Sequence, residues 1–139
     1  MIVSCAMAGR NLRLLEVVEF EAGNHLDPAA LAAAKTAAAL MSMTNVFYRF
    51  RHLTGNEKYR NLPARLRMQA LRGHGGDPLD FELCCLAVSS INACAACVDG
   101  HEKALREKGI GEEVILAAVR IASVFFAVAV VMDAEPEPR

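Results

Sequence analysis

Apolar side chains recur at helical spacing from Ala6 to Ala22, with Leu12, Leu15, Val18 and Ala22 on one side and Glu16 and Glu19 on the other, until Gly23 and Asn24 interrupt the pattern. This predicts one helix. Asp27 followed by Pro28 reads as an N-cap with proline at the first helical position, and the Ala-rich run 29–43 behind it has high helix propensity and room for close packing. Residues 44–51 continue that helix or form a short successor. Thr54, Gly55 and Asn56 mark a turn, and a polar, basic helix is expected around Pro63 to Leu71. Gly73, Gly75, Gly76 and Pro78 make a loop, and Asp80 can cap a helix from Phe81 to about Ile91, which Asn92 interrupts. A further helix runs from about Cys94 to Lys108, where Gly109 ends it.

The last predicted helix, Glu112 to Met132, starts after Gly111 and is followed by a tail, Ala134 to Arg139, which contains proline. Val114 to Met132 is long enough to cross a bilayer, yet Arg120 sits inside it, and the uninterrupted part, Ile121 to Met132, has only the length of a buried helix. It is therefore expected to be a core or subunit-interface helix, with no membrane involved. A helix apolar on every side needs cover all round, so part of that cover is expected from a second subunit. No alternating strand pattern and no solenoid-length repeat occurs, so the fold class is all-α, with residues 1–133 as one helical domain and 134–139 as a flexible tail.

Composition sharpens this in three respects. The chain of 139 residues is 54% hydrophobic but only 6% aromatic, which suits a core of small and medium aliphatic side chains between helices. Fifteen Lys and Arg against sixteen Asp and Glu give a net charge of -1, which speaks against a dedicated nucleic-acid binder. Five cysteines, an odd count, with no secretory leader pattern at the start, argue for a reducing cytoplasmic setting rather than a secreted disulfide framework.

The chemistry concentrates in Cys94-Ala95-Ala96-Cys97-Val98-Asp99-Gly100-His101, with Glu82 one helix upstream. Positions i, i+3 and i+7 share one helical stripe, so Cys94, Cys97 and His101 can face one point. Unpaired N–H groups at a helix N-terminus and a nearby imidazole favour the thiolate, and a carboxylate such as Glu82 can hold that imidazole in one tautomer. Three other readings use the same residues. The cysteines can be small buried hydrophobes; Cys94, Cys97, His101 and Glu82 are suitable zinc ligands, although a second C-x-x-C is missing; and the group can be a non-catalytic redox module. Haem attachment is excluded, because Val98 stands where C-x-x-C-H needs histidine. Cys5, Cys84 and Cys85 read as packing residues, and His25, His52 and His74 as surface histidines. The segment 45–72 carries Arg49, Arg51, Lys58, Arg60, Arg65, Arg67 and Arg72 against one acid, Glu57, interleaved with Phe47, Tyr48, Phe50 and Tyr59. It suits a solvated face or a docking surface for an acidic partner better than a nucleic-acid site.

Phe81-Glu82-Leu83, Ala87 to Asn92, Cys94-x-x-Cys97-x-x-x-His101-Glu102, Met43 to Arg49 and Leu66-Arg67-Met68 together resemble the alkylhydroperoxidase D (AhpD) family of the carboxymuconolactone decarboxylase-like superfamily, over about Ser4 to Met132. The resemblance implies an all-helical trimer that reduces organic hydroperoxides. It implies no bound cofactor and no metal. The external reductant would be dihydrolipoamide, supplied by a lipoylated dihydrolipoamide acyltransferase and lipoamide dehydrogenase, with electrons also passed to a partner peroxiredoxin. By position, Cys97 would be the peroxidatic residue, Cys94 the resolving one, His101 the base and Glu82 the group orienting it. A decarboxylase of the wider superfamily is the rival enzyme, and it would not need the dithiol. This chain departs from the family in three ways: Ala96 stands where a second histidine is usual, Cys84 and Cys85 replace bulkier residues, and the start is short by an N-terminal helical segment.

Overall fold

The computed structural model describes residues 1–135. Among these, seven α-helices follow one another without a strand: α1 (Ile2–Gly9), α2 (Leu12–Gly23), α3 (Pro28–Leu53), α4 (Lys58–Asn61), α5 (Pro78–Ile91), α6 (Ala95–Glu107) and α7 (Glu112–Ala134), with a 3-10 turn at Gln69–Leu71. The predicted tail begins inside this range, since Ala134 closes α7 and Glu135 is extended, and residues 136–139 lie outside the described residues.

The helix predicted over 6–22 is two helices. Arg10 adopts the left-handed conformation and Asn11 turns the chain, its side-chain oxygen accepting from the Leu14 N–H at 2.8 Å. The break has a packing reason, because a Cβ on Gly9 would lie 2.8 Å from the Ala129 Cβ, so α1 presses its end directly on α7. The phase of α2 also shifts: Leu14, Val18 and Ala22 are buried, while Leu12 is 67% exposed. Asn11 Nδ2 donates to Asp133 Oδ1 and Arg13 to the Met132 carbonyl, each at 2.6 Å, fastening α2 to the end of α7.

The Asp27-Pro28 start is observed, with Asp27 Oδ1 accepting from the Ala30 N–H at 2.7 Å, and α3 runs unbroken through residues 44–51 to Leu53. Its small residues Ala33, Ala34, Ala37 and Ala38 are buried against the first and fifth helices. Where a basic helix was expected at 63–71, only the 3-10 turn at Gln69–Leu71 is helical, and the short α4 ends before that stretch at Asn61. The Arg51 guanidinium fixes that path instead, donating to the carbonyls of Tyr59, Arg60 and Leu62 while packing over Phe47. Asp77, not Asp80, caps α5, accepting from the Leu79 and Asp80 N–H groups with Pro78 in the first turn.

The core is built from α1, α3 and α5, with Val3, Ala6, Met41, Phe81, Cys84, Cys85 and Val88 in one cluster. The last helix contributes Ile115, Ala118, Ala122 and Ala129, but Val114, Leu116, Val124, Phe126, Val130 and Val131 stay exposed on the single chain. By length and composition alone α7 could cross a membrane.

Candidate active site

The helical hairpin α5–α6 positions the site, and its turn is unusually short. Cys94 N–H bonds to the Ser89 carbonyl and Ala93 N–H to the Ser90 carbonyl, both at 3.1 Å, with Ala93 left-handed at φ 53°. This is a Schellman closure with alanine where glycine is usual. Cys94 thereby ends the closure of α5 and serves as N-cap of α6.

Cys94 and Cys97 form a disulfide with Cα atoms 5.3 Å apart. The two sulfurs differ in surroundings. Cys94 is fully buried, whereas Cys97 borders a cleft of about 570 Å³. No side chain caps α6, and while the Cys97 N–H donates to the Cys94 carbonyl at 3.0 Å, the N–H groups of Ala95 and Ala96 stay available to stabilise charge on a sulfur beside them. His101 and Glu82 border the same cleft, and Met41, Tyr48, Met68, Leu71 and Ala104 supply most of its apolar wall.

His101 Nδ1 lies 2.7 Å from Glu82 Oε2. An ionised carboxylate only accepts, so Nδ1 carries the proton and Nε2 faces the cleft. The hydrogen bond from His101 holds the Glu82 carboxyl below the usual carboxylate range against the opposing effect of burial, and the charges of His101, Lys108 and His74 act in the same direction as the bond. Among the described residues no hydrogen bond joins His101 to either sulfur; Nε2 instead meets Met41 Sδ at 3.2 Å. Among the described residues no three metal-binding side chains converge as a metal ion would require.

The structure thus brings together the four residues singled out in the sequence, and it buries Cys5, Cys84 and Cys85 as packing residues. Burial pushes the Cys5 thiol up to about 11, and burial together with the negative charge of Glu82 pushes Cys85 up as well. His25 and His52 are exposed, but His74 is half-buried and stacked on Phe81 with ring centroids 3.8 Å apart, which corrects its reading as a surface residue. The supports on α3 leave no mark in the spacing of the cysteines and histidine. Asn45, buried, donates to Ser89 Oγ at 3.1 Å and accepts from Asn92 Nδ2 at 3.0 Å, while Arg49 donates to the Asn92 carbonyl at 2.6 Å. These bonds hold the end of α5 just ahead of Cys94. A buried polar residue on an otherwise apolar helical face was the available signal for Asn45, whereas Met41 reads as ordinary core.

Comparison with known proteins identifies the family. The model of the carboxymuconolactone decarboxylase family matches residues 57–136. The protein of Solibacter usitatus named alkyl hydroperoxide reductase AhpD is 57% identical over 136 residues, covering 98% of this chain and 77% of its own. Proteins of the same name from Acidobacterium capsulatum and Koribacter versatilis are 58% and 54% identical, covering 96% and 99% of this chain and 73% and 71% of theirs. Matches of this extent place the chain in the carboxymuconolactone decarboxylase family, among proteins named alkyl hydroperoxide reductase AhpD.

Proposed function

We propose that the chain is a thiol-dependent peroxidase for organic hydroperoxides. The observation that carries this reading is the unequal placement of the two sulfurs, with Cys97 bordering an apolar cleft beside the His101–Glu82 pair and Cys94 buried behind it. The names of the relatives point the same way.

In the reduced protein the Cys97 thiolate attacks the distal oxygen of the hydroperoxide, the O–O bond breaks, and the alkoxide leaves as the alcohol after taking a proton. His101, its Nδ1 held by Glu82, serves as the base for the cysteine pair through a water that spans the distance to sulfur. The Cys94 thiolate then attacks the Cys97 sulfenic sulfur, forming the disulfide and releasing water. Dihydrolipoamide reopens it: one of its thiolates attacks Cys97, the sulfur at the cleft, Cys94 leaves, and the second lipoyl thiolate closes the cyclic disulfide. No cofactor or metal resides in the protein in this scheme.

The reductant is proposed to arrive on a lipoylated dihydrolipoamide acyltransferase, itself recharged by lipoamide dehydrogenase, and a peroxiredoxin is a further acceptor of the electrons. Lys58, Arg65, Arg67 and Arg72 are exposed and free to meet an acidic carrier, whereas Arg49 and Arg51 are committed to backbone carbonyls of their own chain. The bare apolar face of α7 is proposed to be covered by like chains in a trimer, with no membrane or nucleic acid involved. The cycle is proposed to run in the cytoplasm, where disulfides are transient and catalytic. The test is hydroperoxide consumption with dihydrolipoamide as reductant. Cys97→Ser is expected to abolish turnover, and retained activity would overturn the assignment.

A further inference from the structure

Met41 is buried on α3, yet its side chain forms part of the cleft wall that Cys97 also borders. Its sulfur lies 3.2 Å from His101 Nε2 and 3.9 Å from Asn45 Nδ2. Once Cys97 is tied up in the disulfide, the thioethers of Met41 and Met68 are the remaining sulfur nucleophiles bordering the cleft. Of the two, only Met41 touches an imidazole able to move a proton.

From this placement we propose that Met41 is a site of peroxide modification, a fuse that disables the enzyme when hydroperoxide persists after the reductant is exhausted. The oxidant is the hydroperoxide itself, so the inference rests on the peroxidase reading for its supply. The thioether attacks the distal oxygen, the O–O bond breaks, and sulfur is oxidised by two electrons to the sulfoxide. The hydroperoxide is reduced to the alcohol. The proton on the transferred oxygen ends on the departing alkoxide, and His101 Nε2 is placed to carry it. The product changes the site, because a sulfoxide oxygen is a far stronger acceptor than a thioether. It would accept from the Asn45 amide, and from His101 Nε2 once that nitrogen has taken up a proton, holding the imidazole away from the cysteine pair.

The order of methionine oxidation tests this. The disulfide form is treated with excess cumene hydroperoxide without reductant, sampled over time and peptide-mapped, and each sample is then assayed with dihydrolipoamide. Met41 is the most buried of the six methionines, and Met1, Met7, Met43, Met68 and Met132 are all partly exposed. Reaction governed by exposure would therefore reach Met41 last. The proposal expects Met41 to gain one oxygen first, turnover to fall in step with it, and the preference to vanish in urea. Met41→Leu should keep a larger fraction of its own starting activity after the same exposure. Oxidation in order of exposure, or loss of turnover with Met41 unmodified, would overturn it. In parallel, one equivalent of hydroperoxide is added to the reduced protein. Disulfide formation there with Met41 oxidised last would leave the peroxidase reading intact and reject the fuse alone.

Discussion

Replacing Glu82 by Gln keeps the shape of the side chain and an oxygen able to accept from His101 Nδ1, but removes the charge. The bond it alters is short, 2.7 Å, and both side chains are mostly shielded, at 18% exposure for His101 and 25% for Glu82. A hydrogen bond to a charged group contributes about 1.5–3 kcal/mol against about 0.5–1.5 for a neutral one, so the substitution should cost about 1 kcal/mol at neutral pH. The sign of the pH dependence follows from the lowered carboxyl. A group whose pKa is depressed on folding adds stability above its unfolded value and loses it as pH falls through the folded one. Glu82→Gln should therefore be less stable than the parent at neutral pH, and the gap should close as acid protonates Glu82 in the parent. Chemical denaturation of both proteins, at neutral pH and at about pH 3, measures this. A gap that is the same at both pH values would refute the assignment of a charge-assisted bond. Peroxide turnover should also fall, about fivefold if the lost orientation is worth the same 1 kcal/mol. Turnover equal to the parent's would remove Glu82 from the proposed site.

Three further outcomes follow from the same structure. Ala93→Gly relieves a left-handed alanine in the turn before Cys94 and should stabilise the fold by about 0.5–1 kcal/mol with the same disulfide; a loss of stability on thermal or denaturant unfolding would contradict the Schellman reading. Gly9→Ala places a Cβ 2.8 Å from that of Ala129 and should cost about 1–3 kcal/mol by forcing the first and last helices apart, an effect absent for the open Gly100. In the reduced native protein a neutral-pH alkylating agent should label Cys97 first, while Cys5 and Cys85, buried and with raised thiol pKa values, should react only on unfolding; early modification of either would show that the core opens more readily than its packing implies.

Helix identity was legible where a local signal and the apolar period agreed. Asp27-Pro28 gave the start of α3 correctly, and the same Asp-Pro pair at Asp77-Pro78 marks the start of α5, although Asp80 competes for that role when only the following apolar run is considered. The break at Arg10 and Asn11 was hidden because both flanking segments carry apolar residues at helical spacing. Its causes, the Asn11 cap and the contact of Gly9 with Ala129, are tertiary as much as local. The missing helix at 63–71 has a similar origin, since Arg51 holds the preceding carbonyls from a distance along the chain. Within the site, Cys94, Cys97 and His101 announced themselves by spacing, and Glu82 by its position one helix upstream. Met41 lies 60 residues from His101 in sequence, so no periodicity links them; packing of α3 on α5 and α6 brings them together.

The dithiol is the centre of the proposed chemistry. The most direct measurement is the mass and peptide map of the reduced protein before and after one equivalent of an organic hydroperoxide. Loss of two hydrogens per chain, mapped to a bond between Cys94 and Cys97 and accompanied by one equivalent of alcohol, is the predicted result. Unchanged mass, or oxidation scattered over Cys5, Cys84 and Cys85, would contradict it.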